Sequence, residues 1–462
     1  MDLIRSSGLL IPLNEFRFHP SCIHVKGHLT RTFKDYNSEE STITFRFYIQ
    51  SDKYLVVPRF FPFQNYFSQF FHITDKREDG KDVNIRYSIK PKDDFQEECL
   101  SWFSRNSRGI LHAGTGSGKT IMAIKTICDK GKKAIIFVHK VSLVKQWYER
   151  FESFTDVVSK NNISILKSES YEKDLLKDII ITTNQTFLSL VKRKRYDFLK
   201  VLRNSGIGTL FGDEVHTTVG APSFSLCSLY VSAKNTFGLT ATPYRYDGCH
   251  DVIKYHLGEI YKPTLQPSTM KPKIMVIFFD HRVAYGKTEY YIYWQGKFSR
   301  SRYLNMMYKS DAYINLCLTL IRRAVNNNRY MLFLHDRIRT LEKLIDMAEI
   351  NEENVGRFYR SAPLNETEKP FIFATPGKCR DGIDIPPCDL LIMGNSIGNA
   401  EQAIGRIVRE MKGKEQPIVI DLVDTGCEDM LNRYSSRRNL YDRESWEVEE
   451  YEFNENNQLV MR

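Results

Sequence analysis

Short apolar runs recur along most of this chain, each bounded by polar turns and separated by stretches with a helical period. Residues 109–112, 134–138, 178–182 and 209–213 are four such runs, and the pattern pauses near Pro263. It resumes at 329–334, 370–374, 389–393 and 418–422. These runs lack the in-and-out alternation of a half-buried strand, so each suits a strand covered on both faces of a parallel sheet. Strands alternating with helices predict an α/β chain of two doubly wound domains in tandem, at 88–262 and 301–462. The stretch 263–300 between them carries Pro263, Pro267 and Pro272, then Tyr285, Tyr290, Tyr291, Tyr293 and Trp294. It reads as a linker with an extended or hairpin insertion.

Residues 1–87 follow a different pattern and predict a small β-rich domain. The segment 41–49 alternates as a strand with one buried face, and 54–61 is a second extended candidate whose Pro58 suits an edge or an end. Phe60, Phe61, Phe63, Tyr66, Phe67, Phe70 and Phe71 crowd together here, among Arg31, Lys34, Arg46, Lys53 and Arg59. Two readings fit: a small aromatic core with a solvated basic face, or a platform that binds nucleic acid by stacking and charge.

Composition narrows the setting. The net charge of +10 permits a polyanionic partner. Nine scattered cysteines without a C-x-x-C pair suit free thiols in a reducing compartment. No apolar run reaches the length of a membrane span, and the first residues lack the apolar core and cleavage site of a signal peptide. An intracellular, cytoplasmic protein with no membrane partner is the expectation.

The chemistry starts at Ala113-Gly114-Thr115-Gly116-Ser117-Gly118-Lys119-Thr120, which fits the P-loop pattern except that Ala113 replaces the first glycine. An apolar run enters it and a helical pattern leaves it, which is the context the motif requires. Its glycines let backbone N–H groups close around phosphate oxygens at a helix N-terminus. Lys119 is expected at the β/γ-phosphates and the Thr120 hydroxyl on Mg²⁺. Downstream, Asp213-Glu214-Val215-His216 closes another apolar run. Nucleotide hydrolysis needs one carboxylate to hold Mg²⁺ and another to orient or deprotonate water, and Asp213 and Glu214 suit those roles in that order.

From about residue 90 to 410 the motifs resemble, in order, those of superfamily 2 helicases of the DEAD/DEAH-like type, whose P-loops commonly begin with Ala. The resemblance implies two RecA-like domains that use ATP. It places Gln96 at the adenine. It assigns nucleic-acid contacts to Gln146, in Gln146-Trp147, and to Thr183 and Gln185, in Thr182-Thr183-Asn184-Gln185. Thr240-Ala241-Thr242-Pro243-Tyr244-Arg245 resembles the segment coupling hydrolysis to strand movement, with His216, Thr240, Thr242 and Arg245 answering to the γ-phosphate. In the second domain, Gln402-Ala403-Ile404-Gly405-Arg406-Ile407-Val408-Arg409 resembles the arginine-finger motif. Gln402, Arg406 and Arg409 are then catalytic, with both arginines expected on one helix face. Asp384 is placed near the ribose and Thr375 at the nucleic-acid backbone.

Within the superfamily, the Asp-Glu-Val-His box, Gln-Trp, Gly258-Glu259-Ile260-Tyr261 and Val57-Pro58-Arg59-Phe60 resemble the XPB/UvsW-type branch. That branch includes phage branch-migration enzymes and poxvirus transcript-release helicases. It implies a DNA helicase acting on forks or junctions in recombination or repair, with the tyrosine-rich stretch as a possible separating wedge or an internal contact. Arg433, Arg437, Arg438 and Arg443 form a terminal basic run that suits either DNA or solvent. An RNA motor and a non-catalytic ATP-binding clamp remain as alternatives. One chain supplies both halves of an ATP site, so a monomer suffices.

Overall fold

The computed structural model describes all residues except 35–41, 115, 246, 266–269, 282–291, 295, 380–384, 386, 398–399, 409, 412 and 455–457. The chain divides into two units, Met1–Pro267 and Ser268–Arg462. Among the described residues no helix is long and apolar enough to cross a membrane.

The first unit is built on a seven-stranded sheet. Its strands run in the order Ile163–Ile165, Ile179–Thr183, Ala134–Val138, Thr209–Asp213, Asn235–Thr240, Arg108–His112, Ile260–Tyr261. Every pairing is parallel. The reason lies in the runs themselves: Ala134–Val138 is buried at every position, as are Ile179–Thr183, Thr209–Asp213 and Asn235–Thr240. Successive residues feed opposite faces. Ile136, Phe211 and Phe237 pack on one side with Met122, Trp147 and Phe151, while Ile135, Leu210 and Phe137 pack on the other with Phe187 and Phe198. Register sets Asp213 beside Leu239 and Thr240 beside His112, so three loops leave the same sheet edge together.

The N-terminal residues add a five-stranded mixed sheet in the order Ile49–Gln50, Tyr54–Val57, Leu9–Pro12, Asp2–Arg5, His72–Asp75. Only the last pairing is parallel. Part of the aromatic crowd resolves into a core: Phe61, Phe63 and Phe67 are buried with Leu3, Ile11 and Leu55, whereas Phe70 is exposed. The buried rings cannot stack on bases. The core extends into Cys249 and Val252 at the helix His250–Leu257, so the small sheet and the large one share packing. Arg59 is fully buried and donates to the carbonyls of Ser228 (2.6 Å), Val231 (3.0 Å) and Ala233 (3.4 Å), which removes it from any basic face.

One expected strand differs. Residues 41–49 contain Thr42–Arg46, but this pairs only with Thr30–Lys34 in a two-stranded ribbon. The ribbon is covered only in part: Ile43 is exposed, Phe33 packs partly against the N-terminal core, and Phe47, beyond the strand, is buried.

The second unit carries an eight-stranded sheet. The order is Val355–Phe358, Phe371–Ala374, Met331–Leu334, Leu390–Met393, Ile418–Asp424, Lys273–Phe279, Glu447–Phe453, Leu459–Met461. All pairings are parallel except the last. Lys273–Phe279, read from sequence as linker, is an interior strand of this sheet, because Ile274, Val276, Ile277 and Phe278 are apolar enough to be buried on both faces. A short hairpin, Tyr293–Trp294 with Lys297–Phe298, does follow it. Tyr285, Tyr290 and Tyr291 lie outside the described residues.

The terminal basic run is largely neutralised within its helix, Glu428–Arg443. Arg437 is buried and forms a two-pronged bond to Asp421, while Arg438 pairs with Asp442 and Glu450, and Arg443 with Glu401 and Glu444. Acidic partners, buried only in the case of Asp421, claim these three side chains, so the run is not a free cationic face.

Candidate functional site

The P-loop connects the strand Arg108–His112 to the helix Lys119–Lys130. Gly116 and Gly118 both take φ +86°, a left-handed conformation in which a side chain is strained. Gly118 stands at the helix N-cap, and its missing Cβ admits Gln96: a Cβ there would lie 2.4 Å from Gln96 Nε2. Gln96 is buried and donates to Ser117 O (3.0 Å), while its Oε1 accepts from Lys92 N (3.1 Å). This glutamine, expected at an adenine, grips the loop backbone itself. The Ser117 hydroxyl closes the turn on Gly114 O (2.9 Å). Lys119 Nζ folds over the loop and donates to Ala113 O and Gly114 O, each at 2.9 Å. Thr120 follows in the first helical turn, and Thr115 lies outside the described residues.

Gly118→Ala should break the Gln96 clamp and strain the backbone together. An unfavourable φ costs on the order of 1–3 kcal/mol, so nucleotide affinity should fall by about five- to 150-fold. Titration with a fluorescent ADP analogue reads this, and unchanged affinity would show that the clamp is dispensable.

Two strands away, Asp213 ends Thr209–Asp213 in a buried position, and Trp147 Nε1–H donates to its Oδ2 at 2.8 Å. Burial, helped by the neighbouring Glu214 charge, pushes the Asp213 carboxyl up to about 6. Glu214 takes φ +47°, unusual outside glycine, and is held there by Thr217 and Thr218 N–H groups donating to its carbonyl. Its Oε2 is buried without a hydrogen-bond donor. Two carboxylates, one resisting ionisation and one with an orphaned oxygen, fit a divalent cation, whose charge would satisfy both. Asp213 and the Thr120 hydroxyl are the residues here that could hold Mg²⁺.

The expected coupling residues converge on this pair. His216 Nδ1 lies 3.5 Å from Glu214 Oε2 and 3.2 Å from Thr240 Oγ1. Thr240 Oγ1 also accepts from Thr242 N (3.1 Å). Arg245 donates to His216 O and is clamped by Asp247, through Nε to Oδ1 at 2.9 Å and through Nη2 to Oδ2. Burial lowers the His216 pKa, which favours the neutral ring. Asp247, Trp147 and Asn184, whose amide donates to Thr218 O (2.9 Å), complete the site without having been singled out for these contacts. The partners of Trp147 and Asn184 are distant in sequence, so no local signal could have found those two, whereas Asp247 stands two residues from Arg245.

Other expected residues are placed differently. The Thr183 hydroxyl is buried and caps the helix Asn184–Arg193 by accepting from Thr186 N (3.1 Å), a bond that competes with a phosphate. Gln185 is exposed and Gln146 half-buried. In the second unit, the helix Ala400–Ile404 ends before Gly405, so Arg406 lies beyond it in a turn rather than on a helix face. Ile404, Ile407 and Val408 are all buried, and turning the chain at Gly405 lets them reach the core. Arg406 is buried, Gln402 and Thr375 are half-buried, and Asp384 and Arg409 lie outside the described residues.

Residues 83–245 match the family described as type III restriction enzyme, res subunit. A mimivirus (Acanthamoeba polyphaga mimivirus) protein named as an ATP-dependent RNA helicase is 24% identical over 425 residues, covering 89% of this chain and 79% of the relative. The XPB helicase/translocase subunit of the general transcription and DNA repair factor IIH from Encephalitozoon cuniculi is 25% identical over 398 residues, covering 79% and 57%. The solved structure of the ATP-dependent type ISP restriction-modification enzyme LlaBIII bound to DNA aligns over 81% of this chain and 32% of that one, with 15% identity and a TM-score of 0.52. That likeness concerns the fold. With helicase motifs in order, two parallel α/β sheets and these relatives, the chain is a helicase of superfamily 2 type with relatives among viral helicases.

Proposed function

We propose that this helicase is an ATP-driven DNA motor that acts on branched DNA, remodelling forks or junctions. One observation carries the motor reading: Glu214, His216, Thr240 and Arg245 form a continuous contact chain beside the P-loop. The polymer and its branched form rest on the resemblance to XPB/UvsW-type helicases.

In the proposed cycle, Lys119 exchanges its bonds to the Ala113 and Gly114 carbonyls for oxygens of the β- and γ-phosphates. Mg²⁺ held by Asp213 and Thr120 would supply charge neutralisation at those oxygens. Glu214 accepts a proton from the attacking water, and Arg406 stabilises charge on the γ-phosphoryl group. Loss of that group alters what Glu214 and His216 contact, and Thr240, Thr242 and Arg245 sense the change. Backbone gripping makes such a motor largely indifferent to sequence and sensitive to salt.

A second reading, an RNA motor, is favoured by the mimivirus relative, whose name states RNA helicase. Steady-state ATP hydrolysis with single-stranded, duplex, forked and four-way-junction DNA, and with RNA, separates the two, using Lys119→Ala as background. Branched DNA should stimulate turnover several-fold more than RNA. Preferential stimulation by RNA would replace the DNA reading, and absence of turnover would leave an ATP-binding clamp.

A further inference from the structure

Trp147 is the largest fully buried side chain of the molecule, yet its indole N–H is aimed at a carboxylate rather than at backbone. It sits on the helix Val141–Phe154, directly after Gln146, and donates to Asp213 Oδ2 at 2.8 Å. Residues 66 apart in sequence thus meet at the proposed Mg²⁺ ligand. We infer that Trp147 is a positioning residue: its N–H holds one Asp213 oxygen so that the other is presented to the cation, and it ties the helix bearing Gln146 to that ligand. This rests on the reading of Asp213 as a Mg²⁺ ligand.

The chemistry favours an indole here. Trp donates and cannot accept, so it orients a carboxylate without competing for the metal. A lysine in its place would bring a charge that opposes cation binding. Burial keeps water from substituting for the bond, and rigid packing against Phe151 (ring centroids 6.3 Å apart) fixes the donor's direction. Groups that orient a metal ligand in this way are typically worth about 10- to 100-fold in metal affinity. Because Gln146 and Trp147 are neighbours on one helix, a nucleic-acid contact that shifts this helix also shifts the donor.

The test is Trp147→Phe in the full chain, which keeps an aromatic filler and removes the N–H. The Mg²⁺ concentration giving half-maximal ATP hydrolysis should rise about tenfold or more, with recovery at high Mg²⁺. ADP affinity measured in EDTA should stay near wild type, which a merely structural loss would not spare. An unchanged Mg²⁺ half-point overturns the proposal.

Should Trp147→Phe fail to fold, indole ¹⁵N spectra of the wild-type protein decide. The four tryptophans are assigned by replacing Trp102, Trp294 and Trp446 one at a time. The Trp147 N–H signal of ADP-bound protein should move on Mg²⁺ addition, and a signal indifferent to Mg²⁺ overturns the proposal. These spectra need no turnover, so a protein that hydrolyses no ATP sinks the motor reading without deciding the role of Trp147.

Discussion

Glu214→Gln should lower ATP turnover by about a hundred- to a thousandfold while nucleotide binding stays close to wild type. The substitution preserves size and removes only the capacity to take a proton. Everything that would bind nucleotide remains: the Gln96 clamp on Ser117, the left-handed glycines, Lys119 and Asp213. The carboxylate is placed by the backbone. A φ of +47° swings Glu214 out of the strand, Thr217 and Thr218 N–H groups fasten its carbonyl, and the Thr218 hydroxyl fastens Asp213 O at 2.9 Å. The Oε2 atom then accepts no hydrogen bond, with His216 Nδ1 at 3.5 Å, which leaves a base ready to accept a proton. Lys119→Ala makes the contrast, because it should lose binding and turnover together. Single-turnover hydrolysis with a parallel nucleotide titration reads both. If Glu214→Gln retained half of wild-type turnover, the base assignment would be wrong.

Arg59→Ala should destabilise the first unit by about 3 kcal/mol, the net of three effects. It leaves the carbonyls of Ser228, Val231 and Ala233 without their donors, at about 1 kcal/mol or more each. It also empties the space of a fully buried side chain, where cavities cost about 24 cal/mol per Å³. Against these stands the relief of a buried cation with no carboxylate partner, whose strain shows in a guanidinium pKa lowered by burial to about 9. The losses outweigh the relief because the carbonyls stay buried. The expected drop in the first thermal transition is on the order of 6–12 °C, since about 2–4 °C accompanies each kcal/mol in a unit of this size. Arg59→Lys should recover only part, as one ammonium lacks the guanidinium's fork. A transition within a degree of wild type would mean that Arg59 does not fasten the N-terminal sheet to the larger one.

Arg59 also shows why sequence reading is weakest where charge meets core. Among basic neighbours it looks like a solvated face, and only the folded chain brings three carbonyls around it. The same holds for Arg437, enclosed by Asp421, Ser396 and Tyr441. The strand Lys273–Phe279 was missed for another reason: prolines before it and a tyrosine-rich stretch after it suggested a linker, although the run itself is as apolar as its neighbours in the sheet. Proline punctuates elements and says little about what lies between them.

By itself the sequence determined the parallel α/β framework, the P-loop and the acidic pair, because these depend on local features. An apolar run buried on both faces can only be an interior strand, and a glycine-rich turn before a helix can close around phosphate wherever the sheet places it. Tertiary structure alone decided which distant groups serve those features. Gln96 reaches Ser117, Trp147 reaches Asp213, and His216 reaches Thr240 because parallel strand order gathers their loops at one sheet edge. Such contacts are fixed by register and crossover between strands far apart in the chain, and no local periodicity encodes which side chains will meet there.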